Sequence, residues 1–244
     1  MLSLIFNNVE PFIYVGFYLI ICGILKLYQP YLKKLYQENI NYKKYIKNIS
    51  IVHNIGLILF SFSVTVILSI KFYILFGTIY PKEILKYLIF DDQTLINVCW
   101  LFTYSKVWEF LDTFLIMLKG HDTIFLQKYH HAGAIIFWYL CTKYQTSGIL
   151  FPTLFNAFVH TIMYLYYLLC LYGYKLNKYK PYITGLQLFQ LLTGNITGIV
   201  YYVIPNYHIK SEQLYSCIGI IIYVFILIWL FIDFSIRSYI TKNK

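Results

Sequence analysis

Seven stretches of this sequence are long and apolar enough to cross a lipid bilayer, at approximately 9–27, 51–76, 94–118, 124–142, 148–172, 181–204 and 213–236. About 20 mainly apolar residues span the roughly 30 Å of bilayer hydrocarbon as a helix. Backbone groups in lipid must be satisfied within the segment, and short alternating barrel strands are absent, so helices are expected. The fourth stretch is the least apolar and leaves a re-entrant form open. Only 12% of the 244 residues are charged and 59% are hydrophobic, whereas a soluble domain carries about 25% charged residues. So little charge cannot cover a water-soluble globule of this size. The expected architecture is an all-α membrane protein with seven transmembrane helices, forming one polytopic domain over 1–244 without an internal repeat. No basic n-region precedes the first stretch and no small-residue cleavage site follows it, so it is expected to remain as a helix.

A net charge of +10 suits a nucleic-acid partner only if the basic residues share an exposed face. They sort by loop instead. One set of alternating loops carries Lys26, Lys33, Lys34, Lys43, Lys44, Lys47, Lys119, Lys128, Lys175, Lys178, Lys180, Arg237, Lys242 and Lys244 against Glu38, Asp122 and Asp233, a balance of +11. The other set carries Lys71, Lys82, Lys86, Lys143 and Lys210 against Glu10, Glu83, Asp91, Asp92 and Glu212, a balance of zero. This asymmetry follows the positive-inside rule, which puts the C-terminus in the cytosol and the N-terminus outside or in a lumen. No nucleic-acid partner is expected. The five cysteines are scattered without a CxxC pair and read as single core residues, neither a disulfide nor a zinc framework.

Three charges remain inside the third stretch: Lys106, Glu109 and Asp112. A charge at bilayer depth costs at least about 2.5–3.5 kcal/mol, so such groups face one another or a cavity. At about 100° per residue, Lys106, Glu109 and Thr113 share a helix face with Asp112 beside Glu109. An ion cluster fixing helix packing accounts for any one of them, and less well for all three. The fourth stretch opens with Gln127-Lys128-Tyr129-His130-His131, in which Gln127 lies three and four residues before the histidines. Such a pair suits a metal site, a nucleophile with its base, or two satisfied core histidines. In the fifth stretch Asn156, His160, Met163 and Tyr167 form one stripe. In the sixth, Thr184, Gln187 and Asn195 share a face with Gln190 flanking. Interhelical hydrogen bonds, worth about 0.6 kcal/mol in membranes, account for Gln190 or Asn195 taken singly. Polar stripes on four consecutive stretches together imply a buried polar chamber, which packing alone does not need.

In these residues the chain resembles the ELO family of very-long-chain fatty acid elongases. The family's marks are a K-x-x-E-x-x-D-T segment, an H-x-x-H-H box, an N-x-x-x-H-x-x-M-Y-x-Y-Y segment and a T-x-x-Q-x-x-Q segment. Here they read Lys106-Val-Trp-Glu109-Phe-Leu-Asp112-Thr113, Gln127-Lys-Tyr-His130-His131, Asn156-Ala-Phe-Val-His160-Thr-Ile-Met163-Tyr164-Leu-Tyr166-Tyr167 and Thr184-Gly-Leu-Gln187-Leu-Phe-Gln190. The likeness covers nearly the whole chain and is strongest between 100 and 190. Gln127 stands where the box has its first histidine, as in some branches of the family, which argues against a required metal-ligand role there. The resemblance implies a condensing enzyme of the endoplasmic reticulum membrane. Such an enzyme joins an acyl-CoA to malonyl-CoA, releases CO2 and CoA, and yields a 3-ketoacyl-CoA two carbons longer. It further implies six helices closing around an acyl-chain tunnel with the first helix outside, and no metal or cofactor beyond the CoA substrates. The implied partners are membrane lipid, the ketoacyl reductase, dehydratase and enoyl reductase of the cycle, and a second copy of the chain in a homodimer.

A thioester condensation needs a nucleophile to hold the acyl group, promotion of malonate decarboxylation, and donors for the enolate. No cysteine lies in a motif. In line with the family, His130 is expected to carry the acyl group, with His131 and His160 orienting it or transferring protons and Gln127 beside them. Asn156, Gln187 and Tyr167 are expected to donate to the carbonyl or the CoA arm, and Met163, Tyr164, Thr184 and Gln190 to line the substrate. Glu109 and Asp112 either hold a histidine tautomer or pair with Lys106. Lys119, Lys175, Lys178 and Lys180 are expected to meet the CoA phosphates. A di-iron desaturase needs several histidine boxes, and this chain has six histidines with one adjacent pair. A seven-helix receptor lacks support, since no D-R-Y or N-P-x-x-Y is present, and so does a transporter, since no paired broken helices appear. The terminal Thr241-Lys242-Asn243-Lys244 lacks the second lysine of a dilysine retrieval signal, so reticulum location rests on the resemblance.

Overall fold

The computed structural model describes residues 9–78, 92–203 and 210–241. Within them the regular elements are helical: α1 (Val9–Leu27), α2 (Gln29–Glu38), α3 (Ile40–Thr78), α4 (Gln93–Trp108), α5 (Phe110–Leu118), α6 (Phe125–Lys143), α7 (Leu150–Leu171), α8 (Lys180–Val203) and α9 (Ser211–Ser235), with short turns of helix at Ser147–Ile149, Asn177–Tyr179 and Ile236–Ile240. Lys82, Glu83, Lys86 and Asp91 lie outside the described residues, as do Lys242, Asn243 and Lys244 at the C-terminus.

Among the described residues five helices are long and apolar enough to cross a membrane, beginning at Val9, Ile40, Ser147, Asn177 and Ser211. The chain is a multi-pass membrane protein. Two of the seven expected stretches, the third and fourth, do not reach that length and apolarity among the described residues, and the reason is chemical. The third stretch is interrupted at Glu109, where the Asp112 amide bonds the Glu109 carbonyl at 3.0 Å, a tightened i to i+3 turn. It thus becomes α4 and α5, of 16 and 9 residues. The fourth, α6, opens with Gln127, Lys128, His130 and His131, which make it less apolar than the other stretches. The basic loop expected between the first two stretches is also helical, as α2 and the first turns of α3. Pro30 sits at the start of α2, where its fixed φ suits a first turn. Lysine and leucine are good helix formers, and α3 holds no glycine or proline before Gly56.

The helices close into a ring. α3 packs on α7, α7 on α8, α8 on α9, α9 on α6, and α6 on α4, which returns to α3. α1 stands outside the ring against α5 and α6. Two polar clamps hold it there. The Tyr104 and Tyr139 hydroxyls donate to the Glu10 carboxylate at 3.3 and 2.8 Å, joined by Tyr14 of α1 itself at 3.0 Å, and Tyr18 bonds Thr113 at 2.9 Å. Thr113 therefore serves α1, not the chamber expected from its helix face. Large apolar side chains such as Ile13, Phe17, Leu59, Phe62, Phe225 and Trp229 are exposed, as a lipid-facing surface requires. At the opposite end from α2, Asp92 caps α4 by accepting from the Thr94 amide at 2.7 Å and pairs with Lys71. The Lys71 ammonium holds the Asp92 carboxyl below the usual carboxylate range.

Gly120 ends α5 with φ of +78°, and a Cβ there would lie 2.3 Å from the Lys33 Cα. α2 can lie this close only to a glycine. The Tyr42 hydroxyl reinforces the contact by donating to the Leu118 carbonyl at 3.0 Å. Gly120→Ala is expected to destabilise the fold by on the order of 2 kcal/mol, read as a lower midpoint in thermal unfolding of the detergent-purified protein.

Candidate active site

The interrupted third stretch carries the buried charges. The Lys106 ammonium donates to Glu109 Oε1 at 2.7 Å and to Asn156 Oδ1 at 2.9 Å, and it sits 4.0 Å from the centre of the Phe102 ring. The Asn156 amide donates in turn to Gln190 Oε1 at 3.4 Å. Lys106, Glu109, Asn156 and Gln190 are all buried. A lysine needs this many partners to stay charged away from water. Of the two roles left open for Glu109, pairing with Lys106 is observed.

Glu109 also faces the histidines. His160 Nδ1 stands 3.3 Å from Oε1, but off the line of a hydrogen bond, so that among the described residues Nδ1 has no hydrogen-bond partner, nor has Glu109 Oε2. One ligand atom each from Glu109, His130 and His160 lies within 4.8 Å of the others. Three such groups can exchange protons, carry an acyl group on nitrogen, or close around a metal ion. His131 neighbours His130 with ring centres 5.3 Å apart, and its Nδ1 is also unpartnered. Asp112 turns to the other side of the cavity, where His53 Nε2 meets Oδ1 at 2.8 Å and the Tyr164 hydroxyl donates to Oδ2 at 2.6 Å.

These groups surround a cavity of ≈570 Å³. Gln127, His130, His131, His160, Glu109, Asp112, Met163, Tyr164, Tyr167, Thr184, Gln187, Lys119 and Lys180 all line it. The Gln187 amide donates to Met163 Sδ at 3.1 Å, and Thr184 bonds the Tyr239 hydroxyl at 3.0 Å. Residues of α3, α5, α6, α7, α8 and α9 contribute to the wall, and α1 does not. The cavity reaches the end of the bundle where Lys119 and Lys180 stand, and partial burial there pushes the Lys119 ammonium down from its ordinary value. Five expected residues are not in the wall. Lys106, Asn156 and Gln190 form a layer beyond it, and Gln190 lines a separate pocket of ≈30 Å³ with Asn195 and Trp138. Lys175 and Lys178 lie away from the cavity in the exposed connection between α7 and α8; the side chains are solvated there because that segment has nothing packed over it.

Four polar wall residues escaped the sequence reading. Ser50, His53 and Asn54 come from α3 and Tyr239 follows α9. His53 and Asn54 carried a usable signal, two adjacent polar residues inside an apolar stretch. Tyr239 carried none in a chain with 27 tyrosines.

The family described as ELO: GNS1/SUR4 matches residues 4–244. The chain is 32% identical over 156 residues to "Fatty acid elongase 2" of Trypanosoma cruzi, covering 59% of this chain and 54% of that protein. It is 34% identical over 154 residues to "Fatty acid elongase 3" of Trypanosoma brucei brucei, covering 59% and 49%. Against "Very long chain fatty acid elongase 7" of Rattus norvegicus it is 33% identical over 162 residues, covering 62% and 54%. The chain spans about half the length of these relatives.

Proposed function

The chain belongs to the ELO: GNS1/SUR4 family, and from that membership and its histidine-lined cavity we propose that it is the condensing enzyme of fatty acid elongation. It takes an acyl-CoA and malonyl-CoA and releases CO2, CoA and a 3-ketoacyl-CoA. The observation that carries this reading is the convergence of His130 and His160 on Glu109 in the wall of one cavity, with no cysteine at that convergence. Cys170 alone among the five cysteines reaches the cavity wall.

An imidazole nitrogen of His130 attacks the thioester carbonyl. The C–S bond breaks, and CoA leaves as a thiolate that takes up a proton from water. Malonyl-CoA then loses its free carboxylate as CO2, and the electron pair of that C–C bond becomes an enolate. The enolate carbon attacks the acyl carbonyl, the C–N bond breaks, and the histidine is regenerated. His131 and His160 orient the acyl group or move protons beside it. Gln187 and Tyr167, both in the cavity wall, supply donors to the carbonyl or CoA arm. The enzyme works in the endoplasmic reticulum membrane with its N-terminus lumenal and C-terminus cytosolic, supplying the ketoacyl reductase, dehydratase and enoyl reductase of the same cycle, and it pairs as a homodimer.

Protein purified into lipid nanodiscs, given malonyl-CoA and a panel of acyl-CoAs, is expected to form 3-ketoacyl-CoA by mass spectrometry. Folded protein that extends no member of the panel sinks the proposal. The spacing of Glu109, His130 and His160 also suits a metal ion. Stoichiometric zinc or iron in elemental analysis, with activity lost on chelation, would overturn the acyl-imidazole route.

Lys119 and Lys180, which line the cavity, attract the CoA phosphates in this reading. Raising salt from about 0.05 to about 0.5 M is expected to raise the apparent KM for acyl-CoA roughly three- to tenfold with kcat unchanged. Lys119→Ala with Lys180→Ala should remove most of that dependence, and Lys175→Ala with Lys178→Ala should leave it. A KM indifferent to salt counts against both lysines.

A further inference from the structure

Four histidines line the cavity, and their Nδ1 atoms are not equivalent. Among the described residues, the buried Nδ1 atoms of His53, His131 and His160 have no hydrogen-bond partner. His130 differs. Its Nδ1 lies 3.3 Å from the hydroxyl of Tyr223, which also donates to the His130 backbone carbonyl at 2.8 Å. A phenol has one proton to donate, and a carbonyl oxygen has none. With that proton committed to the shorter contact, the Tyr223 oxygen can only accept from Nδ1.

We propose that Tyr223 is a positioning residue that holds the proton of His130 on Nδ1, leaving the Nε2 lone pair as the nitrogen that takes the acyl group. This rests on the reading of His130 as acyl carrier. Nε2 attacks the thioester carbonyl, the C–S bond breaks, and the thiolate takes a proton from water while Nδ1 keeps its own. The carrier is then an acyl-imidazolium, whose C–N bond yields neutral imidazole when the enolate attacks.

The surroundings of Tyr223 suit this task. Its ring is buried and stacks on Phe137 at 5.0 Å between centres, with Tyr129 at 5.4 Å on α6 as well. Gly133 makes the approach possible: a Cβ there would fall 2.0 Å from a carbon of the Tyr223 ring. His130, Gly133 and Phe137 recur at three and seven residues, one face of α6. That face is shaped to receive one aromatic ring and deliver its hydroxyl to one imidazole. His131, one residue on, is turned away from it and lacks the contact.

Tyr223→Phe keeps the ring and its stacking and removes only the hydroxyl. With palmitoyl-CoA and malonyl-CoA in nanodiscs, kcat is expected to fall about tenfold while KM stays within about twofold. In protein labelled with 15N-histidine, before acyl-CoA is added, the His130 Nδ1 resonance is expected to be of the protonated type. In the variant it should be a mixture of both types. Unchanged kcat, a loss confined to KM, or an unprotonated Nδ1 in the wild type overturns the proposal. Trapping with palmitoyl-CoA alone separates it from its premise. No acyl adduct on wild-type His130 overturns the acyl-carrier reading and this proposal with it. An adduct formed equally fast in both proteins overturns this proposal alone.

Discussion

Lys106→Ala is expected to cost about 3–5 kcal/mol, the effect of breaking a buried ion pair by removing one partner. Lys106 and Glu109 have side chains only 2% exposed, so the deletion strands a nearly buried carboxylate without its cation. Glu109 Oε2 already lacks a partner, and Asn156 Oδ1 would lose its donor as well. A ΔΔG of this size lowers the thermal midpoint of a chain this long by roughly 6–20 °C, measurable by tryptophan fluorescence in detergent. The paired change Lys106→Met with Glu109→Gln removes both charges and keeps the long stem over Phe102. It should recover most of the loss. If the double variant is no more stable than Lys106→Ala, the cost is lost packing and not a stranded charge.

His130→Ala is expected to lower condensation by at least about 10³-fold while leaving the midpoint close to wild type, because it removes the atom that becomes covalently bonded. The side chain faces the cavity and its loss leaves no buried charge unpaired. His131→Ala should retain more activity than His130→Ala, since its proposed role is orientation or proton transfer. Product formation is read as ketoacyl-CoA and carrier formation as an acyl adduct on the intact protein. Covalent acylation that persists in His130→Ala removes that residue as nucleophile and moves the role to His160.

The apolar stretches announced the helices, because lipid leaves the backbone no other choice. Charge sorting likewise picked out Lys106, Glu109 and Asp112 as groups needing an internal partner. Helical spacing put Gln127, His130 and His131 at adjoining positions of one stretch and His160 in the polar stripe of the next, since positions on a helix are fixed by a period of 3.6, and the structure brings all four to one cavity wall. Spacing failed where the helix itself is altered. Around the turn at Glu109, Lys106 joins Asn156 beyond the wall, Glu109 stays in the wall, Asp112 meets His53 and Thr113 meets Tyr18, so one inferred face became several environments. Contacts between distant segments were also hidden. Nothing local says that Tyr223 reaches His130, or that Lys33 packs on Gly120, because both depend on how close two helices come. Lys175 and Lys178 were judged by their distance along the chain from the motifs, which is a poor guide once the connection stands out in solvent.

The length of α3 fixes a depth for the chemistry. Its 39 residues extend about 58 Å at 1.5 Å each, nearly twice the roughly 30 Å hydrocarbon thickness. Much of α3 must therefore stand in headgroups and water. His53 comes only six residues after Lys47 and at the very start of the apolar stretch, so it marks a shallow level. Glu109 lies about 14 Å from the end of α5, and His130 about 8 Å from the start of α6, at the same end of the bundle. In the proposed reaction the thioester carbonyl need travel only a little below the headgroups. A thioester can then place its fatty tail in the interior while its nucleotide and phosphates remain hydrated, so the free energy of dragging those charges into oil never arises.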